Sequence, residues 1–287
     1  VASLAGRVLH RKDWIQAAEF KANQILEYQT PEGFWEEGRH HGPSMKYNSL
    51  MLAGLSVVLQ VTGNRRIREA LARLVSFMAR WSFPDGVTVG AFDGRQSTSP
   101  GYFGCVVPGL DLTPEGITHL NRILGFWDKA GWLDDPGKIG PSNWYAHFGM
   151  PFAGESLLYY SRTRRPLSPR AALPLDRSGA TLECHAAHFD GVLRRQGPWC
   201  VAVSGQMSDV PKDTQFVYRL ERQNRLEIAH DQASVVIGGG HSLVTCEYPL
   251  FNVWVETGCG ALPSAGSYSH SGGQASGPEM ALRRSRY

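Results

Sequence analysis

Apolar side chains recur at helical spacing through the first half of the chain and at alternate positions through much of the second. Trp14, Ala18, Ala22 and Ile25 step by four, four and three, which predicts a helix over residues 13–28. The run Thr30-Pro31-Glu32-Gly33 ends it. A polar loop follows, and then Met45, Leu50, Met51, Leu52, Ala53, Leu55, Val57, Val58 and Leu59 make a helix apolar on nearly every face. Such a helix is expected to be surrounded by protein. At about 15 residues it is too short for a bilayer, which needs about 20. Thr62-Gly63-Asn64 supplies a stop and a new N-cap. The next helix is one-sided, with Ile67, Leu71, Leu74, Met78 and Trp81 on one face. An all-apolar helix followed by a one-sided one fits the inner and outer helices of a double-layered barrel.

Residues 82–109 read as irregular, with Pro84-Asp85-Gly86 as a turn. More than about 20 residues of loop in a compact domain is uncommon and often functional. Thr113 and Pro114 start another helix, with Ile117, Leu120, Leu124 and Trp127 as its stripe and Gly131 as its close. Residues 134–149 form a further loop, and a last helix is expected over 151–161.

The period then becomes two. Strands are expected at 180–185, 191–195, 199–204, 215–220, 225–230, 234–237, 243–248 and 251–256, with Asp190-Gly191 and Gly238-Gly239-Gly240 as turns. Short strands at this spacing indicate an antiparallel sandwich. The expected organisation is a helical domain over 1–162, a Pro/Arg-rich linker over 163–174, the strands over 175–260 and a Ser/Gly-rich tail over 261–287 without periodicity.

Composition narrows the function classes. Hydrophobic content of 42% and charged content of 19% describe an ordinary globular chain of 287 residues, enough for one large or two ordinary domains. A formal net charge of +3 makes no case for nucleic acid but suits an acidic substrate if the positive charge lies in a cleft. Eight Trp and ten Tyr offer rings for sugar faces, although most rings in any protein serve the core. Cys105, Cys184, Cys200, Cys246 and Cys259 have neither CxxC nor metal-finger spacing. No run is long enough to span a membrane. The chain starts at Val1 without Met and enters a helix almost at once, so it reads as a fragment.

Two stretches carry a family resemblance. GFWEEGRHHGPSMKYNSLMLAGL resembles the loop and inner helix of heparinase II/III-like polysaccharide lyases, where an EG-containing loop leads into a Tyr-bearing helix. LEIAHDQASVVIGGGHS resembles a segment of that family's sandwich. The resemblance spans most of residues 13–256. It implies an α+β multidomain fold, an incomplete α/α toroid followed by an antiparallel β-sandwich. It also implies β-elimination on a uronic-acid polysaccharide, no organic cofactor, and a periplasmic or secreted location.

That chemistry needs a group to neutralise the uronate carboxylate, a base for the C5 proton and an acid for the leaving oxygen. Tyr47, at the entrance of the apolar helix, is the leading base or acid candidate; the bland alternative is a core Tyr with a satisfied hydroxyl. Asn48 is a candidate for the carboxylate or a simple cap. His40 and His41 titrate near neutral pH, and on an extended loop only one faces a given side. Arg39 is a candidate for the substrate. Glu36 and Glu37 suit a lyase base less, because a carboxylate repels the uronate. Arg95, with Gln96 and Asp93, either pairs bidentately with a carboxylate or stabilises its own turn. Asn143, Trp144, Tyr145 and His147 combine stacking rings with a proton-transfer group. In the strand region Glu183, His185, His188, His230, Asp231 and His241 make a structural divalent metal conceivable without a tight ligand pattern.

Two rival functions stand beside the lyase. One is a glycoside hydrolase on the same toroid, with Glu36 or Glu37 and Asp93 as paired carboxylates. The other is a glycan-binding protein without catalysis. The expected partner in each case is a polysaccharide or oligosaccharide.

Overall fold

The computed structural model describes residues 2–36, 42–92, 102–103, 106–129, 156–161, 171–186, 189–206 and 225–237. The chain is mixed helix and antiparallel sheet, and it divides into two compact units. Among the described residues, one unit contains the helices and the other the five-stranded sheet. Two segments from the helical half of the sequence, 42–44 and 87–103, group with the sheet. The expected boundary near residue 162 ran past both.

The helical unit holds α1 (Ala2–Val8), α2 (Lys12–Leu26), α3 (Met45–Thr62), α4 (Arg65–Arg80) and α5 (Pro114–Lys129). Residues 156–161 are also helical. Helix α1, too short to show a period, was not separable from the sequence. The capping signals act as expected. Gly63 takes φ 67°, and its N–H donates to Leu59. The Asn64 carboxamide oxygen accepts from the N–H groups of Arg66 and Ile67. Thr113 Oγ1 accepts from the Gly116 N–H at the start of α5. Ile67, Leu71, Leu74, Met78 and Trp81 are all buried.

Helix α3 departs from its expected all-round burial. Met45, Asn48, Ser49, Leu52, Leu55, Ser56 and Leu59 make one buried face, whereas Leu50 is 38% exposed and Gly54 and Gln60 are exposed. The helices α1, α2 and α4 pack against it. Among the described residues, no helix is long and apolar enough to cross a membrane.

The other unit is built on β3 (Thr181–Ala186), β4 (Phe189–Gln196), β5 (Trp199–Gln206), β6 (Arg225–His230) and β7 (Ser234–Ile237), an antiparallel meander in chain order. Its inner face carries Leu182, Cys184, Phe189, Gly191, Leu193, Cys200, Ala202, Ser204, Glu227 and Ala229, all buried. The strands expected at 180–185, 191–195, 199–204, 225–230 and 234–237 are present, while those expected at 215–220, 243–248 and 251–256 lie outside the described residues. Asp190-Gly191, expected as a turn, lies inside β4, where His185 pairs with Asp190 and Cys184 with Gly191. The physical reason is a close approach: the Phe92 ring occupies the space where a side chain on residue 191 would stand.

The expected loop over 82–109 has more order than its composition conveyed. Gly86, at φ 91°, closes the Pro84-Asp85-Gly86 turn by donating to Phe83. Strands β1 (Val87–Thr88) and β2 (Tyr102–Phe103) pair antiparallel, so the excursion between them is tied at its base. The expected linker also ends in contact. The Thr118 hydroxyl donates to the Ala171 carbonyl at 2.7 Å and Leu173 is buried.

Candidate functional site

Two of the polar loops singled out from the sequence are anchored at one end on the inner face of the sheet. Phe189 is fully buried at the start of β4. Its ring meets the Phe92 ring edge-on at 5.2 Å between centroids. Gly42, at φ 68°, lies so close to the same ring that a Cβ there would stand 3.1 Å from Cδ2 of Phe189. Gly42 immediately follows Arg39, His40 and His41 in the sequence, and Phe92 immediately precedes Asp93, Arg95 and Gln96. One aromatic side chain therefore holds the end of each stretch.

The short 3-10 turn Gly90–Phe92 is fixed on the sheet by more than its ring. The Ala91 N–H donates to Glu227 Oε2 at 2.9 Å, and the Ser204 hydroxyl donates to the Ala91 carbonyl. Glu227 and Ser204 are each 1% exposed. Both backbone groups of Ala91 are thus met by buried side chains from two neighbouring strands. The row Cys184, Gly191, Ser204 across β3, β4 and β5 is small at every position, leaving the socket into which Phe92 fits. Neither Glu227 nor Phe92 was singled out from the sequence, since nothing local marks a strand glutamate as the partner of a turn in another part of the chain.

In the helical unit, Tyr47 is half-buried in the first turn of α3. Asn48, next to it, is 1% exposed. Its Oδ1 accepts from the Trp35 N–H at 2.8 Å and its Nδ2 donates to the Trp35 carbonyl at 2.9 Å. Asn48 thus clamps the strap that precedes the loop. That strap is wired throughout. Trp35 Nε1 donates to Ile25, and Gln29 Nε2 donates to the carbonyls of Gly33 and Ala70. Gly33 sits at φ 103°, where a Cβ would be 2.8 Å from the Arg73 carbonyl oxygen. Glu36, half-buried, closes the described part of the strap.

Arg39, His40, His41, Arg95, Gln96, Asn143, Trp144, Tyr145 and His147 lie outside the described residues, as do Glu37, Asp93, His188 and His241. Of the polar groups named in the strand region, His185 lies between two carboxylates. Its Nδ1 is 2.9 Å from Asp190 Oδ1 and its Nε2 is 3.5 Å from Glu183 Oε2. The hydrogen bond to Asp190 and then that to Glu183 raise its pKa above the ordinary imidazole value. His230 instead packs edge-on against Trp199, at 4.6 Å between centroids, and Asp231 pairs with Arg195. Among the described residues, no group of three or more His, Cys, Asp or Glu is arranged to hold a metal ion.

Two buried titratable groups of the helical unit serve the core. The Tyr160 hydroxyl donates to the Val107 carbonyl at 2.5 Å and accepts from the Leu110 N–H at 3.1 Å. Burial, then the nearby Asp111, pushes its pKa far up. His119 is 1% exposed, and burial, reinforced by Arg122, lowers its pKa to about 3, so it is neutral. No protein-family model, curated protein or solved structure matches this chain.

Proposed function

We propose that the protein is a polysaccharide lyase that cleaves a uronic-acid glycan by β-elimination. In this reading the helices belong to an α/α toroid and the five-stranded sheet is one layer of a β-sandwich, the layout of the heparinase II/III-like family that the sequence resembles. The observation that carries the reading is the shared anchor at Phe189. It holds the ends of the two polar stretches that bring Arg39, His40 and His41, and Arg95 and Gln96. A rigid sheet under loops that bear polar chemistry is how binding sites are commonly built.

The proposed roles follow the electron flow. A base takes the C5 proton, the electron pair forms the C4–C5 double bond, and the C4–oxygen bond breaks. An acid returns a proton to the departing oxygen. Charge builds on the uronate carboxylate as the C5 proton leaves, so cationic or hydrogen-bonding groups held against it lower the barrier. Tyr47 and a histidine among His40, His41 and His147 are assigned the proton transfers. Arg39, Arg95 and Gln96 are assigned to the carboxylate, and Asn143, Trp144 and Tyr145 to the sugar rings.

The test is incubation with a panel of uronate polysaccharides, followed by ultraviolet absorbance and reducing-end release. Elimination yields an unsaturated uronate, so absorbance and new ends should rise together. New reducing ends without absorbance would replace the lyase by a hydrolase. Binding without either would replace it by a glycan-binding protein.

A further inference from the structure

We infer that the exposed face of α4, with Tyr28 beside it, is a second binding surface for an anionic polysaccharide, built from residues other than those assigned to the elimination. Arg65, Arg66, Arg68, Arg73 and Arg80 are all exposed on this helix, which contains no lysine and no carboxylate besides Glu69. Arg66, Arg73 and Arg80 recur every seven residues. That is close to two helical turns, so they form one row with steps of about 10 Å. Solvation alone does not ask for this arrangement. A helix face that only meets water commonly mixes signs, as Arg65 and Glu69 do at 2.7 Å. Arg65, Arg66 and Arg68 stand at the start of α4, whose first turn holds no acidic residue, so they oppose the positive end of the helix dipole. That placement costs helix stability, and the buried face does not require it.

The row is also partly pre-set. Arg66 is held by Glu27 Oε1 at 2.9 Å and Arg73 by Gln29 Oε1 at 2.5 Å. Tyr28 lies between these two partners in the chain and is 79% exposed. Glu27 and Glu69 neutralise Arg66 and Arg65, while Arg68, Arg73 and Arg80 have no carboxylate partner among the described residues. A guanidinium offers a planar fork that pairs bidentately with a carboxylate, and an aromatic ring covers the apolar face of a sugar. Unmatched arginines in a row beside an exposed tyrosine therefore fit a polymer that repeats carboxylates on sugar rings. This surface does not depend on the lyase reading: a chain that binds without cleaving would use it in the same way.

The test measures binding of the full chain to immobilised alginate, a polyuronate, with a neutral glucan and single-stranded DNA as comparisons. Binding is read at low temperature, with ultraviolet absorbance recorded to show that the alginate stays intact. Wild type should bind alginate and not the glucan, and added salt should weaken the binding. The triple variant Arg68→Gln, Arg73→Gln, Arg80→Gln should weaken it about 10-fold or more, the combined effect of three exposed charge pairs. Tyr28→Ala should weaken it by less. Circular dichroism checks folding, and Arg80→Glu, a single change at an exposed site, stands in if the triple variant misfolds, with a loss in the same direction. Wild-type affinity in the folded triple variant, or in Arg80→Glu where that stands in, would overturn the surface. So would a wild-type chain that does not bind alginate. DNA bound as tightly as alginate, and lost equally in the variants, would overturn the glycan assignment in favour of nucleic acid. A chain that releases no unsaturated product from any uronate polysaccharide, yet loses alginate binding in the triple variant, would remove the lyase reading and leave this surface standing.

Discussion

The Phe92 ring lies where a side chain on Gly191 would have to go: a Cβ on Gly191 would stand 1.8 Å from Cε1 of Phe92. Gly191→Ala should therefore overpack the inner face of the sheet, at a cost of about 1–3 kcal/mol. The two positions share one space, so the cost should shrink in a Phe92→Ala background. A double-mutant cycle by urea denaturation measures this coupling. Additive effects would show that the ring does not occupy the socket in solution.

How much of this was legible in the sequence depends on where the deciding partner sits. Asn64 and Thr113 cap helices through backbone two or three residues away, so the motif alone located them. Gly191 was misread because Asp-Gly is a turn signal in its own neighbourhood, while the residue that required glycine was Phe92, far back in the chain. The same distance hid Glu227 as the partner of Ala91. Helix α3 was misjudged for a different reason. A nearly all-apolar sequence says only that burial is tolerated all round, and here one face is buried while Leu50, Gly54 and Gln60 stay exposed.

The clamp of Asn48 on Trp35 gives a second prediction. Asn48→Ala strips both the Trp35 N–H and its carbonyl of these partners in a buried setting. Each unsatisfied group costs roughly 1–3 kcal/mol. Asn48→Asp keeps an acceptor for the N–H and loses the donor, so the direct hydrogen-bond loss is halved, although a buried charge is added. Denaturant midpoints of both variants should fall below wild type. An unchanged midpoint for Asn48→Ala would show that the strap is held without it.

His119 should make the protein acid-sensitive. Its folded pKa of about 3 lies below the ordinary histidine value, because burial disfavours the cation and Arg122 repels it. Between the ordinary value near 6.5 and about 3, the unfolded chain binds a proton that the folded one does not. Stability therefore falls as pH drops through that window, with a limiting slope of about 1.4 kcal/mol per pH unit. Substitution by an untitratable residue of similar volume, His119→Gln or His119→Leu, should remove that part of the slope. Unfolding free energies of wild type and variant at pH 7 and pH 4.5 test it. Parallel curves would mean that His119 gains a proton without unfolding.

His185 should behave in the opposite sense. The carboxylates of Asp190 and Glu183 raise its pKa, so its favourable contribution is present below the ordinary histidine value and is lost as pH rises through the raised one. The group is exposed, so the signature is best read spectroscopically. In an NMR titration the His185 ring should change protonation above the free-histidine midpoint, and Asp190→Asn should bring the midpoint down. A midpoint insensitive to Asp190→Asn would show that the contact does not persist in solution.

The last prediction separates lyase from hydrolase. Tyr47→Phe removes one hydroxyl and almost no volume from the first turn of α3. If the hydroxyl serves only packing, the change costs about one hydrogen bond, roughly 0.5–1.5 kcal/mol, and leaves turnover alone. If it moves a proton in the transition state, kcat should fall roughly 100-fold or more while the fold is kept. Glu36→Gln and Glu37→Gln should be far milder under the lyase reading, because neither carboxylate transfers the proton. Under the hydrolase reading the order reverses, since a glutamate would then be one of the paired carboxylates. The assay is release of unsaturated product from uronate polysaccharides, with circular dichroism to check folding. A fully active, well-folded Tyr47→Phe protein beside a dead Glu36→Gln or Glu37→Gln protein would remove Tyr47 from the mechanism and give the proton transfers to the carboxylates.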